Sequence, residues 1–156
     1  MPSVTATQKL YVTVVFIGRI VAKKNNQTMI VKGRKRLIVP SKEYNLWEKR
    51  VIEDDLYGIP PVPWPRFRCE MTLFVPDLRD TDLSNKWEGM ADAMVKAKIV
   101  PDDNCWLMSE VNLKFGGLDA EHPRAVVKIW ELAKVLPGDI EKAIARMKTA
   151  KRKVTA

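Results

Sequence analysis

Two kinds of apolar spacing take turns along this chain, and their order limits the fold more than any single residue does. Leu10 to Ile17 alternates apolar and polar positions and is rich in Val, which predicts a strand; Phe67 to Val75 alternates in the same way and predicts a central one. Trp106 to Phe115 and Ala125 to Leu132 predict two more, joined by Gly116-Gly117 and a loop that holds His122. Between these strands the period changes. Tyr44, Trp47, Val51 and Leu56 recur at roughly helical spacing behind Ser41, a good N-cap, and predict a helix with one buried face. Asn85 to Lys98 predicts a second helix, opened by a capping box of Asn85 and Glu88. Met29 to Val31 and Leu37 to Val39 flank Lys32-Gly33-Arg34-Lys35-Arg36, a hairpin with a basic tip. Pro60, Pro61, Pro63 and Pro65 end the first helix in a loop, and Pro101 to Asn104 form a turn.

The order strand, hairpin, helix, strand, helix, strand, strand predicts an α+β domain with one mixed sheet flanked by helices. At 156 residues the chain is long enough for one real core. Residues 1–136 are expected to form that domain. Pro137-Gly138 breaks the pattern, and 137–156 is expected to be a basic helical extension capped by Asp139, with Ile140, Ala143, Ile144 and Met147 as a narrow apolar stripe.

Composition narrows the partners. A net charge of +8 favours a polyanion. No stretch is apolar for long enough to cross a bilayer, so no membrane is expected. The polar start, Met1 to Lys9, lacks the apolar centre of a secretory signal, and a cytoplasmic location is expected. Cys69 and Cys105 are too few for a disulfide framework or zinc cluster; both lie among apolar neighbours and read as buried thiols.

In so basic a chain the carboxylates stand out. Asp77, Asp80 and Asp82 follow a strand, Asp92 lies within the next helix, and Asp102-Asp103 precede another strand. Acids at strand ends around one helix can converge in space. Oxygen ligands suit hard cations such as Mg²⁺, and phosphodiester hydrolysis uses such ions to activate water and stabilise the leaving oxygen. The same residues also suit turns and helix caps, and on spacing alone the cap-and-turn role is the more common one.

The stretch Thr81-Asp82-Leu83-Ser84-Asn85-Lys86-Trp87-Glu88-Gly89-Met90-Ala91-Asp92-Ala93-Met94, followed by the loop Lys96 to Pro101 and by Asp102-Asp103, resembles the core of the RusA family of Holliday junction resolvases. Lys23 to Asn26 and Ser41 to Trp47 are similar to that family's N-terminal half, so the resemblance spans roughly Leu10 to Leu132. It implies a RusA-like fold and a homodimer that binds four-way DNA junctions and cuts them with Mg²⁺ or Mn²⁺. In the ungapped register the family's first acid falls on Asp82 and its last on Asp103. The second acid falls on Ser84 and the family's lysine on Glu88; both are departures. A second register pairs Asp80 with Asp82 and uses Lys86 as the lysine, at the cost of a two-residue insertion before Asp92.

The expected site is therefore Asp82 and Asp103 as metal ligands, Asp80 as a third, and Lys86 on the scissile phosphate. Ser84, Asp92 and Asp102 are expected to support them. Lys23, Lys24, Asn25, Arg34, Lys35 and Arg36 are candidate DNA contacts. The expected activity is Mg²⁺-dependent endonucleolytic resolution of junctions. The alternatives are a branched-DNA-binding protein without catalysis, motivated by Ser84 and Glu88, and a nuclease for other branched DNA or RNA.

Overall fold

The computed structural model describes residues 9–24, 27–63 and 66–132, with single positions at Gly138, Lys142, Ala145 and Arg146. The expected helix at 140–151, the extension around it and Asn25 lie outside the described residues. The described elements are β1 (Leu10–Ile17), β2 (Gln27–Lys32), β3 (Lys35–Pro40), α1 (Lys42–Arg50) with a π-helical turn at Val51–Asp55, β4 (Phe67–Val75), α2 (Leu83–Lys96), β5 (Met108–Leu118) and β6 (Arg124–Glu131). Four strands form one sheet in the order β1-β6-β4-β5. β6 runs antiparallel to both β1 and β4, whereas β4 and β5 are parallel and joined through α2. The fold is thus a small α+β domain with a mixed sheet and two helices, as the element order predicts.

Alternation decides which face is covered. Cys69, Met71 and Leu73 of β4, Ala125, Val127 and Ile129 of β6, and Val14 and Phe16 of β1 are all buried. Against them pack Tyr44, Trp47 and Val51 of the first helical unit and Met90, Ala93 and Met94 of α2. The opposite face has no helix among the described residues and carries Glu70, Lys114 and Lys128; there the Arg68 guanidinium lies 5.0 Å from the centre of the Trp130 ring. Within the core, Tyr44 donates a hydrogen bond to Glu48 at 2.9 Å, and Lys96 of α2 reaches the same carboxylate at 2.6 Å. A buried carboxylate is tolerated because both partners satisfy it. Burial, then this hydrogen bond, raises the Tyr44 phenol well above its ordinary value. Gly89 makes room for the same ring: a Cβ there would meet it at 3.0 Å.

The hairpin β2–β3 is a separate two-stranded sheet whose residues are exposed until Val39 and Pro40. Gly33, at φ 64°, opens a two-residue loop between paired Lys32 and Lys35. A positive φ at the first loop position matches the type II′ turn, which glycine accepts without strain.

Three expectations need correction. Gly116-Gly117 does not separate two strands: β5 runs through both to Leu118. Gly116 is required there because a Cβ would lie 2.8 Å from the Phe74 ring and from the Thr72 methyl. The second helix begins at Leu83 rather than Asn85, for reasons given below. Finally, Cys69 is buried but Cys105 is exposed, because Cys105 sits in the turn before β5 rather than within the strand. Burial pushes the Cys69 thiol up to about 12. A thiol reagent at neutral pH should therefore label one cysteine at once and the second only after denaturation. Rapid labelling of both, or of a Cys105→Ser variant, would contradict this placement.

Candidate metal and nucleic-acid site

The acids are set out along α2 and the turn beyond it. Asp82 is the N-cap of α2: its carboxylate accepts the Ser84 N–H at 2.9 Å and the Ser84 hydroxyl at 2.7 Å. This explains the early helix start. A side-chain oxygen at residue 82 satisfies donors that the first turn leaves open, and Leu83 can then pack against the core. The Ser84 hydroxyl, then the Ser84 and Asn85 N–H groups and the Lys24 charge, hold the Asp82 carboxyl below the usual range. Asn85 lies inside the helix, so no capping box forms there, and Glu88 instead pairs with Lys24 at 3.3 Å.

Glu88, Asp92 and Lys96 are one turn apart on α2, so they share a face. Each has a partner on another part of the chain. Glu88 meets Lys24, Asp92 meets Lys23, and Lys96 meets Glu48. The loop after β1 is thereby tied to the polar face of α2. The hydrogen bond to Asp92 outweighs partial burial and holds the Lys23 ammonium charged beyond its ordinary range.

Asp103 lies between α2 and β5. Its N–H donates to the Asp102 carboxylate at 2.9 Å. Partial desolvation, a hydrogen bond with Asp102 and the negative charges of Asp92 and Asp102 raise the Asp103 carboxyl above the usual range. The residue as a whole is exposed, so crowding by like charge adds to desolvation in setting the direction. The charges of Asp92 and Asp102, two residues expected only to support the site, thus both act on Asp103.

Lys86 and Asp80 lie elsewhere. The Lys86 ammonium donates to the Ile20 carbonyl at 2.5 Å, and burial, then the Arg19 charge, lowers its proton affinity. It anchors the chain after β1 from the side of Asp77 and Arg79. Asp77 is the hub there, held by Arg19 and by Arg79, and its carboxyl is lowered to about 2, chiefly by the Arg19 hydrogen bond. Sequence reasoning did not single out Arg19 or Arg79; the Asp77-x-Arg79 spacing was the available signal for half of that group. Asp80 is exposed and borders a cavity of about 280 Å³ lined by Leu78, Leu83, Phe115 and Leu118.

Carboxylate oxygens are the right donors for Mg²⁺ or Mn²⁺. Among the described residues, no three His, Cys, Asp or Glu side chains stand together as a ready ligand set. Mg²⁺ does not require one: it retains several waters and is commonly held by one or two carboxylates together with substrate phosphate. Asp92 and Asp103 carry the right donor atoms for that smaller demand. Of the expected DNA contacts, Lys23 and Lys24 are already paired with acids, whereas Arg34, Lys35 and Arg36 at the hairpin tip are exposed and take part in none of the ion pairs among the described residues. No helix among the described residues is long and apolar enough to cross a membrane. No protein-family model and no curated protein matches this chain.

Proposed function

We propose that this protein is a metal-dependent endonuclease of the RusA kind that cuts four-way DNA junctions as a homodimer. The reading rests on the pairing of Asp92 with Lys23 and of the Asp103 N–H with the Asp102 carboxylate, in a chain of net charge +8, with these acids near enough for the charges of Asp92 and Asp102 to raise the Asp103 carboxyl. Carboxylates that raise one another's proton affinity favour a bound cation, which relieves the same repulsion. The divalent ion supplies charge for the developing oxyanion and an activated water. Asp103 and Asp92 would hold such an ion, and Asp102, which accepts the Asp103 N–H, would orient Asp103. Lys23 keeps Asp92 in place, and the hairpin tip binds the phosphate backbone.

The test is a synthetic four-way junction incubated with Mg²⁺, with Mn²⁺ and with chelator, alongside linear duplex. Paired metal-dependent nicks near the crossover are expected, with little cutting of duplex. Absence of cutting in both metals overturns the nuclease reading. Replacing Arg34, Lys35 and Arg36 together by Ala should weaken junction binding and lower the salt slope by roughly 2 to 3. An unchanged slope would move the phosphate contacts off the hairpin.

A second reading, a branched-DNA-binding protein without catalysis, is favoured by one specific arrangement. Where the resembled family places an acid and a lysine, this chain has Ser84, which bonds to Asp82, and Glu88, which neutralises Lys24. Tight junction binding that is indifferent to metal, with no nicks, would select it.

A further inference from the structure

We propose that a second copy of this chain pairs with the free edge of β5, antiparallel and centred on Asn112, so that two four-stranded sheets join into one. This deepens the reading above by naming the surface on which the two copies meet; it rests on that reading only for the demand that two copies act together.

β5 is the last strand on its side of the sheet, and at Met108–Leu118 it is 11 residues long. Among the described residues nothing pairs with its outer edge. A long edge presents a row of unpaired N–H and C=O groups, and natural sheets shorten, bulge or cover such edges; β5 shifts register against β4 near Ser109 and Gly116, which leaves Glu110 to Phe115 as the regular stretch of the edge. The side chains beside it are also incompletely covered. Val111, Leu113 and Phe115 pair with Cys69, Met71 and Leu73, all buried, so they lie on the core face of the sheet. Yet Val111 is 40% and Phe115 63% exposed, because α2 covers the sheet only partly at this border. The apolar layer therefore continues past the rim of the domain.

The sequence around Asn112 complements itself. A two-fold axis through an antiparallel pair places each residue opposite the one equally far on the other side of the axis. Centred on Asn112, Glu110 faces Lys114 of the partner subunit, and Lys114 faces Glu110 of the partner subunit. Val111 then faces Leu113 of the partner subunit on the core side. Opposed residues in an antiparallel pair share a face, so both core faces fall on the same side of the joined sheet. Moving the centre to Val111 sets Lys114 against Met108 of the partner subunit, and moving it to Leu113 sets Glu110 against Gly116 of the partner subunit. Either shift loses both opposite-charge pairs. Only this register matches charge on one face and apolar side chains on the other.

The test is the mass of the full chain in solution, without DNA or metal, by analytical ultracentrifugation over a range of concentrations. The expected species is twice the chain mass of 17.8 kDa. Glu110→Lys sets lysine against Lys114 of the partner subunit twice, and Lys114→Glu sets glutamate against Glu110 of the partner subunit twice. Each variant alone should self-associate about tenfold more weakly or worse. Mixed together, they restore both opposite-charge pairs, and the mixture should return to dimer as a heterodimer. Both residues are exposed; Lys114 also pairs with Glu70 of its own chain at 3.3 Å, so Glu110→Lys is the cleaner single variant, and circular dichroism confirms that each variant is folded before it is weighed. A monomeric wild-type chain, a dimer untouched by either variant, or a mixture that stays monomeric overturns the proposal. These outcomes are independent of cleavage: a dimer that cuts nothing leaves the interface standing, and a monomer that cuts junctions removes the interface and leaves the nuclease.

Discussion

Asp103→Asn should reduce metal-dependent junction cleavage by about 10²-fold or more, while binding of the junction is retained or tightened. The substitution keeps shape and hydrogen-bonding capacity and removes one charge from the group formed with Asp92 and Asp102. A bound divalent ion is worth several kcal/mol to a developing oxyanion, and each ~1.4 kcal/mol is tenfold in rate. Binding survives because a negative charge beside the phosphate has been lost. The effect on stability has the opposite sign. A carboxyl whose proton affinity is raised by folding contributes stability below its unfolded value, and that contribution is lost as pH rises through the higher folded value. At neutral pH the wild-type protein has lost it, so Asp103→Asn should melt no lower than wild type. Mg²⁺ should raise the wild-type melting temperature and leave that of the variant unchanged. Normal turnover by Asp103→Asn, or an equal Mg²⁺ shift in both proteins, would remove Asp103 from the site. Asp82→Asn is the matched comparison. Asparagine caps a helix about as well as aspartate, and Asp82 lies outside the pair proposed to hold the ion, so this variant should keep its cutting; lost cutting would add the charge at residue 82 to the site.

Met71→Ala should have the largest effect on stability, about 3 kcal/mol, and lower the melting temperature by roughly 10 °C. Met71 is fully buried on β4, which has a strand on each side, and it pairs with Val127 and Leu113. Truncation leaves a void bounded by regular structure on both flanks, which cannot close without moving the sheet. Ile38→Ala is the control. Ile38 is 70% exposed on the hairpin, and its loss should change stability by no more than about 0.5 kcal/mol. A small effect at Met71 would mean that the sheet tolerates rearrangement around its central strand, and thermal melts of the two variants decide it.

The elements themselves were legible because each leaves a local signature. The period-two pattern of Leu10–Ile17 and the helical spacing of Tyr44, Trp47 and Val51 reflect which side chains must leave water, and that is decided residue by residue. The hairpin was legible for the same reason: Gly33 is placed where its turn needs a positive φ. The start of α2 is not fixed locally because Asp82 and Asn85 are both good caps, and the choice falls to the packing of Leu83 against a core that the sequence does not display. Cys105 and Gly116-Gly117 are illegible for a related reason, since exposure and strand length there depend on neighbours distant in sequence, Phe74 and Thr72 among them.

The candidate site divides in the same way. By itself the sequence determined that acids gather around one helix in a basic chain. Only the tertiary structure decided which of them meet. The path of the chain after β1 lays Lys23 on Asp92, the turn before β5 brings Asp103 toward Asp92, and Lys86 is drawn to the Ile20 carbonyl, toward Asp77 and Arg79. Coulombic interaction depends on distance through space, and residues eleven apart along the chain, as Asp92 and Asp103 are, act on one another only when a helix end and a turn fold back between them.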